Sequence, residues 1–396
     1  MPLLILSLVL IYPILNFFYL VHKPSITKLI FVYFIFVWLA LTTYYGNHEL
    51  DIYRYLNKLE YYKALDWNGF YDLHFINYMT EVNNMDFITQ LLTFLVAKIG
   101  GGERVLLLAC YTLVYLLLVP IHFQLRKNLG DNYTHLLTCF ILFFVFYNPT
   151  NINGLRFYIA LLCALNFITG YILNEDKRFF VFLILPVFVH FSFVVLIPIY
   201  MAGVLIKYIK LERSFMLLLG SFIMGSVILP YIQEIITSST IGFKLFGILG
   251  NYTNSGYVES RVEDASSYGM LFTWSIKYTL ITSSIIYGFI LRRARIESCK
   301  LYCYGFFTVM FCFALLFINI PTLSRFSILA ATSTFLLLNS SKLDISDSFR
   351  VRSYCFMLIP VTILCIFTIK SSLELLSIKF ISPSFLYFII TDSSIY

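Results

Sequence analysis

Residues 179–206 read FFVFLILPVFVHFSFVVLIPIYMAGVLI, a stretch of 28 residues without Asp, Glu, Lys or Arg and with one histidine, His190. A surface helix of a soluble protein needs a polar face, and this stretch has almost no polar residues from which to build one. The rest of the chain is similar, since 60% of its 396 residues are hydrophobic and only 12% are charged. This composition excludes a soluble globular protein and predicts a membrane protein with several spans.

Further apolar runs are long enough, or nearly long enough, to cross a bilayer, which takes about 20 residues. They are 2–20, 29–45, 104–125, 133–148, 155–173, 214–233, 269–291, 301–320, 326–339 and 354–370. The predicted fold class is therefore all-α, a polytopic transmembrane helical bundle of about 10–13 membrane helices, including broken or re-entrant ones. We expect a single integral membrane domain over residues 1–396.

Lys and Arg residues cluster in six short loops, which the positive-inside rule assigns to the cytoplasm. All six clusters share one side only if residues 87–99 do not cross and residues 179–206 cross twice or not at all. We therefore predict an interfacial or re-entrant helix at 87–99 and a broken helical hairpin at 179–206, with its turn near His190. The long polar loops 46–86 and 234–268 are then extracytoplasmic.

Two arginines stand at the predicted outer ends of helices. Arg156 follows Asn153 and Gly154 at the start of the 155–173 helix, and Arg325 precedes the 326–339 helix. A cation opposes the dipole of a helix at its N-terminus, so helix stability does not explain these residues. Free backbone N–H groups together with a guanidinium bind phosphate well, and the pair suggests a diphosphate clamp. The alternative is that each arginine extends to lipid headgroups.

Other signals are less specific. In its apolar run, His190 is either a packed core residue or, at the outer leaflet, a base toward a hydroxyl or a hydrogen-bond donor to a phosphate. Loop 46–86 mixes tyrosines and carboxylates, which suits carbohydrate and an aromatic belt equally well. We find no metal-binding or phosphate-loop motif, so we expect no metal and no cofactor. The formal net charge is +7, but the basic residues cluster in short loops between apolar runs, so the charge does not indicate binding to nucleic acid.

Several short motifs occur in a recognisable order: Asp51-x-x-x-Tyr55, Asn153-Gly154-Leu155-Arg156-x-x-Ile159-Ala160, His190-Phe191-Ser192 and a late Arg325. In this pattern the chain resembles the EpsG family, which is similar to the Wzy polymerases of O-antigen and exopolysaccharide clusters. The resemblance implies an enzyme of the bacterial inner (cytoplasmic) membrane with an all-helical fold like that of metal-independent lipid-linked glycosyltransferases. Such an enzyme joins a growing glycan on undecaprenyl diphosphate to the sugar of a second lipid-linked repeat unit.

The resemblance also implies roles for individual residues. Arg156 and Arg325 would hold the donor diphosphate and promote its departure, and His190 would bind diphosphate or assist the acceptor hydroxyl. Asp51 and Tyr55 would line the glycan side, with Asn153 beside them as a substrate-binding residue. One departure is Phe157, where relatives more often have Gln.

The expected partners are the lipid-linked glycan donor and acceptor, membrane lipid, and a chain-length regulator and flippase of the same pathway. Three alternatives stay open at this stage. The first is a lipid-linked oligosaccharide flippase, although its polar path would have to cross spans that are almost wholly apolar. The second is an O-antigen ligase, which uses the same donor. The third is a structural subunit whose arginines only anchor to headgroups.

Overall fold

The computed structural model describes residues 30, 33–34, 36–37, 40–41, 51–76, 87–129, 155–206, 211–228, 267–293, 301–319, 326–339, 346, 348–357, 360 and 362–363. The regular structure of these residues is helical throughout. The chain divides into two compact units, Met1–Phe193 with Thr368–Tyr396, and Val194–Phe367.

The described part of the first unit includes helices α1 to α6. They are α1 (Asp51–Ala64), α2 (Trp67–Tyr71, continued by the π-turn Asp72–Ile76), α3 (Phe87–Lys98), α4 (Glu103–Leu129), α5 (Leu155–Asn166, continued by the π-turn Phe167–Ile172) and α6 (Leu185–Val189). α1 packs on α3, and α5 packs on α4 and α6. α5 is therefore in contact with helices that precede it and follow it in the chain.

α5 forms the centre of the first unit. Ten of its twelve residues are buried, and Arg156 and Phe157 in its first turn are the two that are partly exposed, as expected for a helix covered by protein over most of its length. Its polar residue Asn166 is fully buried and donates from its amide to the carbonyls of Leu117 (2.8 Å) and Leu162 (3.0 Å). The side-chain amide therefore joins α5 to α4 by a hydrogen bond in an otherwise apolar contact.

The chain from 177 to 206 is helical but interrupted. A 3₁₀ segment Lys177–Leu183 leads into α6, His190 is extended (φ −151°, ψ 112°), and a second 3₁₀ segment Phe191–Val195 leads into α7, Leu196–Ile206. The interruption at His190 confirms the predicted break in this apolar run, whereas the hairpin and its orientation stay predictions.

The second unit contains α7, α8 (Leu211–Ile223, continued by the π-turn Met224–Ile228), α9 (Ser267–Arg293), α10 (Leu301–Leu316) and α11 (Phe326–Asn339). α7 packs on α10 so closely that a Cβ atom on Gly203 would lie 2.6 Å from the Cα atom of Phe306. α9 packs mainly on α11. Helices in backbone contact of this kind require glycine at the crossing point.

The described residues bear out the all-α prediction. In the part of the chain that the structure describes, two helices are long and apolar enough to cross a membrane, Glu103–Ile121 and Leu155–Ile172. The 12-residue α3 coincides with the predicted non-crossing helix at 87–99. The polytopic bundle and the single domain over 1–396 stay predictions. The runs 2–20 and 133–148 and residues 234–266 of the predicted loop 234–268 lie outside the described residues, and the last two positions of that loop belong to α9.

Candidate functional site

The first turn of α5 carries Arg156 against α1. The guanidinium carbon of Arg156 lies 5.9 Å from the centre of the Tyr55 ring, within the range of a cation–π contact. The Tyr55 ring is buried, whereas Arg156 is partly exposed. Thr89 of α3 donates a long hydrogen bond, 3.5 Å, to the Tyr55 hydroxyl. The charged end of Arg156 thus lies beside an aromatic ring that α1 and α3 hold in place.

The next residue of α5 contacts the interruption between α6 and α7. The Phe157 ring meets the His190 ring edge-on, with centres 5.7 Å apart and planes at 89°. Phe157 also packs on Phe193 at 5.2 Å. Successive residues of an α-helix point about 100° apart, so Arg156 and Phe157 reach two different neighbours from one turn. The start of α5 therefore brings Tyr55, Arg156 and His190 into one region of the first unit.

The imidazole of His190 has a defined hydrogen-bond partner. The backbone N–H of Ser192 donates to Nδ1 at 3.3 Å, and the Ser192 hydroxyl lies 2.8 Å from the same nitrogen. This is the geometry of a helix N-cap, in which a side chain accepts from the N–H two residues on. Because a backbone N–H can only donate, Nδ1 accepts, and the neutral ring then carries its hydrogen on Nε2.

Not every predicted residue is found in this region. Asp51 is the first residue of α1, one turn before Tyr55, which agrees with the spacing of the motif. Asn153 and Arg325 lie outside the described residues, so the predicted clamp of Arg156 with Arg325 stays a prediction. Phe157, the departure from the usual Gln, supplies an aromatic contact to His190 in this chain.

Comparison with known proteins identifies the family. The EpsG family matches residues 27–383, which is most of the chain. The chain belongs to the EpsG family. No curated protein and no solved structure matches it. Membership of the EpsG family confirms the resemblance expected from the motifs and makes this chain a membrane protein of polysaccharide biosynthesis with a polymerase-like role.

The EpsG-family chain contains a second polar cluster in the first unit, enclosed by α1, α2 and α3. The Tyr62 hydroxyl donates to Gln90 Oε1 at 2.8 Å and lies 2.8 Å from His74 Nε2, while Lys58 donates to the same Gln90 oxygen at 3.3 Å. Since the hydroxyl has one hydrogen and gives it to Gln90, it accepts from His74. The cluster is packed under Phe70, whose ring centre lies 4.7 Å from that of His74.

Burial governs the protonation of this cluster. Desolvation, with a smaller contribution from Lys58, lowers the pKa of His74 to about 4. Burial also raises the pKa of Tyr62 far above its ordinary value. Tyr62 is thus part of the core and not one of the exposed rings that carbohydrate binding or an aromatic belt requires, whereas Tyr61, Trp67 and Tyr71 are more than half exposed.

One charged residue was missed at the sequence level. Lys277 lies in α9, inside the apolar run 269–291, and its ammonium donates to Asn319 Oδ1 at 2.8 Å. The sequence predicts a membrane span at 269–291, and an ionisable residue within a span is a functional candidate by default. That signal was present in the sequence but was hidden by the length of the surrounding apolar run.

The described residues give no indication of a metal centre. Within them, no group of three or more His, Cys, Asp or Glu side chains lies close enough to hold an ion.

Proposed function

We propose that this EpsG-family chain is a polysaccharide polymerase that joins undecaprenyl-diphosphate-linked oligosaccharide repeat units at the outer face of the bacterial inner membrane. The product is an O-antigen, capsule or exopolysaccharide. The enzyme is a glycosyltransferase that works without a metal ion, and it spans the membrane several times. Its partners are the lipid-linked donor and acceptor, together with a flippase and a chain-length regulator of the same pathway.

The observation that carries this proposal is the first turn of α5, which presents Arg156 beside Tyr55 and packs Phe157 on His190. A lipid-linked glycan combines a diphosphate with a sugar and a hydrophobic tail. The guanidinium suits the diphosphate, because its planar fork of N–H donors matches phosphate oxygens. The exposed aromatic rings of α1 and α2 suit sugar rings, and the apolar surface of the chain suits the tail.

In the proposed reaction, the bond between the anomeric carbon of the donor and a diphosphate oxygen breaks. A hydroxyl oxygen of the acceptor sugar forms the new bond to that carbon, and its proton leaves with a base or with the released diphosphate. Negative charge builds up on the departing diphosphate, so a fixed cation near it lowers the barrier. We assign this task to Arg156 and assign phosphate binding to Arg325 as well.

The hydrogen-bond geometry of His190 favours one of its two expected roles. With Nδ1 accepting from Ser192, Nε2 carries a hydrogen and is a donor. A nitrogen that already carries a hydrogen cannot remove one from a hydroxyl. We therefore assign His190 to hydrogen bonding with a phosphate oxygen, which leaves the general base to another group, with Asp51 a candidate.

The decisive test uses a deletion strain complemented with wild type, Arg156→Ala or Arg156→Lys. Arg178 provides a matched control, since its side chain is 86% exposed and paired with Asp176 in another part of the first unit. We expect a core with a single repeat unit in the deletion strain and with Arg156→Ala, partial chains with Arg156→Lys, and normal chains with Arg178→Ala. Immunoblots establish that all variants accumulate.

Other outcomes identify other functions. Normal chain lengths with Arg156→Ala at normal protein level would refute the role of this residue. Loss of every repeat unit in the deletion strain would indicate a flippase, and full-length polymer left on the carrier lipid would indicate a ligase.

A further inference from the structure

The second unit holds a cation in a setting that its apolar helix does not explain. Lys277 donates to the neutral amide oxygen of Asn319, and that amide in turn donates to the carbonyl of Gly225 at 3.3 Å. The ammonium of Lys277 also lies 5.9 Å from the centre of the Trp274 ring. Within the described part of the chain, these contacts orient the ammonium without any carboxylate to neutralise it. An ammonium has three hydrogens, and Asn319 takes one of them.

Contacts within the second unit fix the directions of its helices. Lys277 meets Asn319 just beyond the end of α10. Tyr287, ten residues further along α9, contacts Thr308 at 3.0 Å in the middle of α10 and the carbonyl of Tyr304 at 2.9 Å nearer its start. α9 and α10 are therefore antiparallel. α10 and α11 are antiparallel as well, since Phe313 contacts Phe326 and Met310 contacts Ser333. It follows that α9 and α11 run in the same direction.

This direction gives the height of Lys277 relative to α11. Thr334 of α11 contacts the carbonyl of Ser283 in α9 at 3.4 Å. The start of α11 at Phe326 lies eight residues back, about 12 Å, and Lys277 lies six residues back from Ser283, about 9 Å. Lys277 is thus within about 3 Å of the level at which α11 begins. In the sequence, that helix start directly follows Arg325.

A structural explanation accounts for only part of this arrangement. A cation near the C-terminal end of α10 is favoured by the helix dipole, and Asn319 lies in the turn that follows that helix. A dipole interaction, however, does not require a lysine that extends from the middle of another apolar helix. A bound anion at this level explains both the charge and its neutral protein partner.

We propose that Lys277 is a phosphate-binding residue of the second unit, held by Asn319 and directed at the phosphate of a lipid-linked substrate. This inference rests on the proposed function, because that function supplies a diphosphate at the outer ends of the helices. The shared chemistry is a lipid phosphate, which either the carrier lipid or a bulk anionic lipid can offer.

The test measures lipid binding to the purified full-length protein by native mass spectrometry, with undecaprenyl diphosphate in one titration and phosphatidylglycerol in the other. The variants are Lys277→Met, Lys277→Arg and Lys277→Gln, the last of which keeps a donor for Asn319 without the charge. Lys127→Met, at an exposed position of α4, is the control. We expect Lys277→Met and Lys277→Gln to weaken diphosphate binding at least tenfold, while Lys277→Arg and Lys127→Met stay within threefold of wild type and phosphatidylglycerol binding does not change.

Two results would overturn the inference. One is unchanged diphosphate binding by both uncharged variants, including the case in which they lose only thermal stability. The other is a loss confined to phosphatidylglycerol, which would make Lys277 a headgroup anchor. If Arg156→Ala abolishes chain extension while Lys277→Met binds and extends normally, the inference fails and the proposed function stands. If wild type binds no diphosphate and Arg156→Ala extends chains normally, the proposed function fails.

Discussion

Replacing Tyr62 with Phe removes one hydroxyl from the centre of the polar cluster and leaves the ring. The ring contacts with Phe70 and Phe94 persist, so the change creates almost no cavity. Two buried partners lose a hydrogen bond, His74 Nε2 and Gln90 Oε1. The loss at Gln90 is partial, since Lys58 still donates to the same oxygen.

The expected cost follows from these contacts. A buried donor left without an acceptor, as at His74, costs about 1–3 kcal/mol, and the weakened bond at Gln90 costs about 1 kcal/mol more. The sum is about 2–4 kcal/mol in the free energy that opens the α1–α3 cluster. Because about 1.4 kcal/mol corresponds to a factor of ten, this opening becomes about 30-fold to 1,000-fold more frequent.

Hydrogen exchange with mass spectrometry measures this opening directly in peptides from 51–76 and 87–98. The control is Tyr61→Phe, which removes a hydroxyl from the neighbouring residue, whose side chain is 54% exposed. We expect Tyr62→Phe to accelerate exchange in both segments and Tyr61→Phe to leave it unchanged. If the two variants exchange within threefold of each other, the hydroxyl is not a structural hydrogen-bond centre and the reasoning fails.

Three further predictions address pH, the imidazole and helix packing. Burial lowers the pKa of His74 from 6.5 to about 4, so as the pH falls the unfolded cluster takes up a proton at a higher pH than the folded cluster does. The stability of the cluster therefore falls by about 3 kcal/mol between pH 6.5 and pH 4 and is constant below pH 4. Hydrogen exchange corrected for its intrinsic rate measures this loss, which should be absent in His74→Gln. His190→Gln places an amide donor near the Nε2 position and should lower chain extension about tenfold, whereas His190→Asn keeps the N-cap but does not reach that position and should lower it about a hundredfold or more. Equal losses in the two variants would indicate that His190 acts as a base. Gly203→Ala should lower the free energy of unfolding by about 1–3 kcal/mol, because the added Cβ atom meets the Phe306 backbone. Gly220→Ala is the control and should not, because there is open space around Gly220. Equal melting temperatures of the two variants would show that α7 and α10 are not in backbone contact.

The helices formed by long apolar runs could be predicted from the sequence. α5 with its π-turn, α9 and α11 begin and end within two residues of the predicted runs, because an uninterrupted apolar sequence satisfies its backbone only within a helix. The break at His190 was also predictable, because the positions of the basic clusters on either side of the run 179–206 are incompatible with a single uninterrupted span. In contrast, α1–α3 form a small core in which Tyr62, from the predicted polar loop, contacts Gln90 of the apolar helix α3. The spacing of residues within either segment does not predict that the two segments contact each other.

The candidate site was predictable in part. The motifs indicated Tyr55, Arg156 and His190 individually, and the helix start at Leu155 explains why the first two meet. The role of Phe157 was not predictable, because its contact with His190 depends on where the interrupted segment returns to α5. The charge of Lys277 was visible within the apolar run 269–291, but its contact with Asn319 was not predictable, because that residue is 42 positions away and uncharged.

The interruption at His190 has a consequence for the depth at which chemistry takes place. The N–H of His190 donates to the carbonyl of Pro186 at 2.8 Å, and its own carbonyl accepts from Phe193 at 3.0 Å, so the backbone N–H and C=O of His190 are both satisfied by the chain itself. Hydrocarbon cannot solvate a bare peptide group, which normally confines irregular backbone to places that water reaches. The backbone of His190 needs no water and is free of that restriction. The imidazole can therefore be presented where the tail of a lipid-linked sugar enters the bilayer, below the level of bulk water.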